Sequence, residues 1–158
     1  MNTLKSLLTN VDTLFIDVDG TITDGKAYVS KSGHLFKSFE PKIGTAISLL
    51  NSVDVELFFV TNGIKGYDIS FQYLHTMNNQ SIFLAKNINE RINYIIRYAT
   101  SNSILLGDSF IDEQVSKELH IPLISPANKE DIDSLYTLDT KAGEGFFYDI
   151  ASKIYKSK

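Results

Sequence analysis

The 158-residue sequence contains no cysteine, so it has neither a disulfide framework nor a thiolate nucleophile, and the cytoplasm is its expected location. No run approaches the ~20 apolar residues that cross a bilayer. The opening MNTLKSLLTNVD offers one lysine, a short apolar stretch and no small-residue cleavage site, which disfavours export and membrane insertion alike. The chain is not basic either. Its 15 Lys+Arg against 19 Asp+Glu give a net charge of -4, which argues against a dedicated nucleic-acid binder and leaves a small anionic ligand open. No internal repeat, low-complexity tract or linker divides it. What remains is an ordinary globular composition, 43% hydrophobic and 22% charged, and one domain over residues 1–158 is expected.

Five short apolar runs predict buried strands: TLFIDV (13–18), VELFFV (55–60), SIFLA (81–85), SILLG (103–107) and IPLIS (121–125). None alternates cleanly between apolar and polar, as expected of strands covered on both faces. Segments of helical length lie between them, at 43–53, 65–77, 88–99 and 111–120. Alternating strand and helix predicts an α/β fold with a mainly parallel sheet sandwiched by helices. One stretch departs from that rhythm. Residues 26–39 read as a β-hairpin turning at Lys31, Ser32 and Gly33, either a flap above the carboxyl edge of the sheet or an edge hairpin within it.

In such sheets ligands bind beyond the carboxyl ends of the strands. Asp17, Asp19, Gly20 and Thr21 follow the first strand, Thr61, Asn62 and Gly63 the second, and Asp108 and Asp112 the GDSFID segment after Gly107. Strand alternation would place Asp17 and Asp19 on one face roughly 6–7 Å apart. Two carboxylates that close repel, so a shared proton, a basic side chain or a metal ion must offset them. Taken singly, each motif has an ordinary reading: Asp-Gly and Thr-Asn-Gly make turns, Asp108 caps a helix and Asp112 favours its first turn. Taken together they fall on one edge. Three carboxylates without a basic neighbour in the same motifs make a hard oxygen site suited to Mg²⁺, and with it phosphoryl chemistry. His34, His75 and His120 match no triad or metal-ligand spacing.

The segments Asp17-Val-Asp19-Gly20-Thr21, Thr61 and Gly107-Asp108-Ser-Phe-Ile-Asp112 resemble the signature motifs of the haloacid dehalogenase (HAD) superfamily of phosphohydrolases. From residue 13 to AGEGFFYDI at 142–150, the chain is similar to the subgroup typified by 3-deoxy-D-manno-octulosonate 8-phosphate (KDO 8-phosphate) phosphatase, which also includes nonulosonate 9-phosphate phosphatases. The resemblance implies a Rossmann-like three-layer sandwich. It makes Asp17 the nucleophile and Asp19 the acid/base, with Mg²⁺ held by Asp17, the Asp19 carbonyl and Asp108. Thr61 would bind a phosphoryl oxygen and Asp112 would support the metal shell or the basic group, with Gly20, Thr21, Asn62 and Gly107 in supporting places. The family's lysine after the third strand is missing; Arg91 stands there, with Lys86 the alternative.

Only 39 residues separate Thr21 from Thr61 and 29 separate Thr61 from Arg91, too few for a cap domain. The subgroup closes its open sites by forming a tetramer through hairpins and a glycine-containing tail. The matching positions here are 26–39 and 142–158, with Lys65, Gly143 and Gly145 as candidate substrate contacts. Glu144 and Tyr148 occupy places where the family commonly has arginines, and TNGI replaces TGR. The expected substrate is a small sugar phosphate, of the 3-deoxy-sugar-acid class. The alternatives are a capless phosphatase acting on phosphoproteins or nucleic-acid ends, a non-catalytic oligomerisation or regulatory module, and a phosphoacceptor receiver domain, which the DxD pair after the first strand disfavours.

Overall fold

A computed structural model describes residues 3–77 and 79–158. Helix α1 (Leu4–Asn10) leads into β1 (Thr13–Asp17), followed by the short strands β2 (Tyr28–Val29) and β3 (Leu35–Phe36). The regular alternation then begins: α2 (Ile43–Asn51), β4 (Glu56–Thr61), α3 (Tyr67–His75), β5 (Ile82–Leu84), α4 (Ile88–Tyr98), β6 (Ser103–Leu106), α5 (Phe110–Leu119) and β7 (Leu123–Ser125). Strand β8 (Tyr136–Thr137) and helix α6 (Phe146–Ser157) complete the chain. The main sheet is parallel throughout in the order β5-β4-β1-β6-β7-β8, so the first strand lies at its centre.

Both faces of that sheet are covered, which is why its strands read as continuous apolar runs. Leu14 and Ile16 of β1 join Phe59, Leu106 and the buried faces of α2, α3 and α6 in one core. Phe15, between them, points the other way, to Val60, Leu105, Ile92 and Ile95 of α4 and Val115 of α5. Asp17 falls in the same alternating register as Phe15. It is therefore presented to the α4/α5 side, where a polar partner has to come from those helices.

The five predicted strands and four predicted helices are present with boundaries shifted by one or two residues. Helix α1 and β8 were not foreseen. Strand β8 has two residues, too short for a periodic signal, and α1 carries its start in one polar cap, Thr3 accepting from Ser6 N. Residues 142–158 divide into a short lead and α6, whose Phe146, Phe147, Ile150, Ala151 and Ile154 are fully buried. The segment expected as a C-terminal tail or helix is thus mostly a core helix.

Strands β2 and β3 pair antiparallel in a sheet of their own, so the edge-hairpin alternative does not hold. Gly33 N donates to Ser30 O and Ser30 N to His34 O, closing the turn at the expected residues. At its base Thr23 bridges Phe39, and Glu40 N donates to Ile22 O. Glu40 then fixes the return: its buried carboxylate accepts from Phe147 N at 3.0 Å and Tyr148 N at 2.9 Å, two free donors in the first turn of α6.

Candidate active site

The site begins where β1 ends. Asp17 is its last residue, and the backbone turns at once, with Thr21, Ile22 and Thr23 N–H groups all directed at Val18 O. The strand period therefore does not extend to Asp19, which lies past the end of β1. Asp17 is 7% exposed and belongs to the core side. Asp19 lies in the turn, with a side chain 34% exposed.

Arg91, in the first turns of α4, reaches Asp17. Its Nη1 donates to Asp17 Oδ1 at 3.0 Å and to Asn62 Oδ1 at 2.9 Å, and its Nη2 donates to Asp112 Oδ1. Asn62 is held in turn by donating to Ala85 O at 3.0 Å. Arg91 is 1% exposed; Lys86 is exposed, and its backbone N–H bonds Glu90 in the α4 cap. Of the two cations weighed from the sequence, the arginine is the one beside Asp17. A guanidinium suits the place because its fork spans three acceptors contributed by β1, the β4 loop and α5.

Asp112 is completely buried, and its second oxygen is filled by Asp108 N (3.1 Å), Ser109 N (3.0 Å) and Ser109 Oγ (2.7 Å). The residue that starts α5 is Ser109, so Asp108 is not the helix cap. Gly107 makes room, since a Cβ there would lie 2.2 Å from the Asp112 carboxyl carbon. Asp108 Oδ1 is buried with no hydrogen-bond partner among the described residues. Its other oxygen lies where a side chain on Gly20 would be, 2.1 Å from the Cβ position, and Gly20 has the left-handed φ of +83° that favours glycine.

Oxygens of Asp17, Asp108 and Asp112 lie within 4.8 Å of one another. Burial drives the Asp17 carboxyl well above the usual range, the Asp112 charge adds to that, and Arg91 opposes it. Asp108 is pushed up to about 7 by burial, then by Asp112 and Glu130. Burial disfavours the Arg91 charge, but Asp112 and Asp17 outweigh it. One guanidinium thus faces three carboxylates. Asp112 is saturated by protein donors, whereas Asp17 and the orphaned Asp108 oxygen remain, both hard donors facing a deficit of positive charge. That set fits a divalent cation with oxygen preference.

Thr61 ends β4, 2% exposed, with its Oγ1 accepting from Gly63 N at 3.0 Å. Thr21 is fully buried and its hydroxyl has no partner among the described residues. The outlying candidates lie differently. Lys65 is exposed, Gly145 is the N-cap of α6, and Gly143 packs so closely on Asp24 that a Cβ would meet its backbone at 2.8 Å. Asp24 itself accepts from Lys26 N and Tyr28 Oη, a turn leading into the hairpin.

Sequence reasoning missed Lys37. Its Nζ donates to both oxygens of Asp19, at 2.8 and 3.0 Å, and to Ser70 Oγ at 3.0 Å. Alternation in LFKSF held the signal: Leu35, Lys37 and Phe39 share the inner face of the hairpin, with Phe36 and Ser38 outside.

Neither a protein-family model nor a curated protein matches the sequence. Solved structures do. KDO 8-phosphate phosphatase from Moraxella catarrhalis, in complex with magnesium, phosphate and KDO, superposes with a TM-score of 0.84 at 18% identity, covering 100% of this chain and 93% of that one. The cobalt-bound enzyme from Haemophilus influenzae gives 0.80 at 20% identity over 95% and 87% of the two chains. A Legionella pneumophila protein assigned to subfamily III A of the HAD superfamily gives 0.81 at 14% identity over 98% and 87%. The chain has the HAD fold. In that fold the acidic cluster stands at the carboxyl ends of the central strands β1 and β6, where open α/β sheets bind ligands.

Proposed function

We propose that the protein is a Mg²⁺-dependent phosphatase of the capless HAD type, acting on a small sugar phosphate of the 3-deoxy-sugar-acid class. One observation carries the reading: a buried carboxylate at the end of the central strand, Asp17, is held by Arg91 and has an oxygen within 4.8 Å of one of Asp108, a residue that also carries an unpartnered buried oxygen. Charges of this kind are costly unless a site uses them.

Asp17 Oδ attacks phosphorus in line, forming an aspartyl-phosphate as the bond to the leaving oxygen breaks. Asp19 gives that oxygen its proton, then takes one from the water that hydrolyses the intermediate. Arg91 fixes Asp17 and offsets charge. Thr61, whose oxygen already accepts from Gly63 N, keeps its hydroxyl proton for a phosphoryl oxygen. Asp17, Asp108 and the Asp19 carbonyl would hold Mg²⁺, which supplies charge neutralisation between nucleophile and phosphate.

The sugar-acid substrate rests on similarity to enzymes described as KDO 8-phosphate phosphatases. Lys65 and the glycines Gly143 and Gly145 are proposed to meet the substrate across subunits of a homotetramer in the cytoplasm. The exposed Tyr28, Val29 and Phe36 of the hairpin and Ile64 beside Thr61 supply an apolar surface for that assembly. Lys42, 4.8 Å from the ring of Tyr148, is a cation near the positions that lack the family's arginines.

The test is phosphate release from a panel of sugar phosphates, phosphopeptides and nucleotides, with and without Mg²⁺. Wild type should turn over sugar-acid phosphates with Mg²⁺, and Asp17→Asn should lose at least about 10³-fold. Equal background release by both proteins from every substrate would refute the enzyme.

A further inference from the structure

Lys37 is a buried cation brought to the site by an element outside the main sheet. Its side chain is 6% exposed, which is costly for an ammonium unless its donors are met. They are met in full. Three N–H groups face three acceptors, Asp19 Oδ1, Asp19 Oδ2 and Ser70 Oγ, and Ser70 is itself buried in α3. The aliphatic stem crosses Gly66, where a Cβ would sit 2.7 Å from Lys37 Cε.

The Asp19 carboxylate has two further close neighbours, while a third of the side chain stays open to solvent. Thr23 Oγ1 lies 3.4 Å from Oδ1, and a Cβ on Gly63 would lie 2.7 Å from Oδ2. Asp19 thus extends from a turn into a slot walled by the hairpin, the β4 loop and α3. Lys37 grips both oxygens at the end of that slot.

We propose that Lys37 is the positioning residue of the acid/base, so that the hairpin sets the direction in which Asp19 delivers its proton. The proposal rests on the reading of Asp19 given above. An ammonium whose three donors are used has none left for substrate, so Lys37 acts through Asp19. In the step concerned, the bond from phosphorus to the leaving oxygen breaks, the bond to Asp17 forms, and the Asp19 proton passes to the leaving oxygen. Misdirecting that proton by about 1 Å is enough to cost on the order of 10²-fold.

A leaving group that needs no proton is indifferent to this. The experiment compares Lys37→Met with wild type on the best sugar phosphate from the panel and on p-nitrophenyl phosphate. For the latter, the pre-steady-state burst of p-nitrophenolate reads the first chemical step alone. Single-turnover rates on the sugar phosphate should fall roughly 10- to 100-fold, the p-nitrophenolate burst less than about 3-fold, with KM unchanged. In an Asp19→Asn background, Lys37→Met should cost nothing further.

Equal losses on both substrates, independent losses in the double variant, or a raised KM with unchanged turnover would overturn the proposal. Should Lys37→Met melt far below wild type, Lys37→Gln, neutral and one bond too short to grip both Asp19 oxygens, should show the same selective loss on the sugar phosphate. Failure of the phosphatase reading looks different: Asp17→Asn then matches wild type on every substrate.

Discussion

Asp17 and Asp19 are two residues apart, yet they sit in two differently built regions. The Asp17 side is made of core elements: β1, the loop after β4, α4 and α5 converge on Arg91, and nothing in the cluster is more than half exposed. The Asp19 side is made of a hairpin stem, a turn and the start of α3, and its carboxylate meets solvent. On the roles proposed for the two carboxylates, the difference ties bond-making to the stability of the domain and proton delivery to an appended element. Damage on the first side should therefore unfold the protein, and damage on the second should slow it.

Arg91→Ala gives the largest expected effect. It leaves Asp17 and Asp112 buried without their cation, which costs about 3–5 kcal/mol, or roughly 6–20 °C in melting temperature for a chain of this size. Lys37→Met leaves Asp19 in reach of water and should cost about 1 kcal/mol or less. Thermal melts of the two variants check this, and equal losses would break the comparison.

Glu40 sharpens it next, because it anchors the hairpin return to α6. Burial raises this carboxyl from 4.5 to about 7, against the opposing bonds from Phe147 and Tyr148 N–H. A carboxyl raised on folding binds its proton more tightly in the native state, so its cost is absent below pH 4.5 and grows until about pH 7. At ~1.36 kcal/mol per unit, the wild type should lose about 3 kcal/mol across that window. Glu40→Gln, which keeps an acceptor and carries no charge, should remove that share of the slope and leave the share owed to Asp17 and Asp108. Denaturant unfolding at pH 5 and pH 8 measures both, and identical slopes in the two proteins would refute the assignment.

Mg²⁺ separates the two sides by stability. By relieving the excess of carboxylates it should stabilise the fold by about 2.7 kcal/mol at 100 times its dissociation constant, read as a higher melting temperature. Asp108→Asn should lose most of that gain and Lys37→Met none of it. Calorimetric titration with Mg²⁺ reads the difference directly.

The fold was legible because strands buried on both faces leave long apolar runs, and TLFIDV shows its central place by carrying the acidic motif out of the core. Arg91 was visible as one of two cations; what chose it was α4, whose Ile92 and Ile95 turn Arg91 inward while Lys86 remains before the helix in solvent. The surroundings of Asp19 were not legible. Strand periodicity was carried two residues too far, since Asp19-Gly20 signals a turn without showing that it already begins at Val18. Lys37 depends on the hairpin folding back 18 residues later in the chain, a contact that local pattern does not encode.

Ser70→Ala gives the smallest expected effect and places the boundary between the two regions. It removes one of three acceptors from Lys37 and leaves the two bonds to Asp19 in place. The lost neutral acceptor should cost about 1 kcal/mol, because the ammonium keeps its main partner. If Lys37 is aimed by Asp19 alone, turnover on a sugar phosphate should be unchanged. If Ser70 shares in fixing the ammonium, turnover should fall a few-fold with no change on p-nitrophenyl phosphate, which extends the proton-delivery region into α3. A loss larger than that of Lys37→Met would mean that α3, and not the hairpin, governs Asp19, and the contrast between core and appended element would have to be redrawn along that helix.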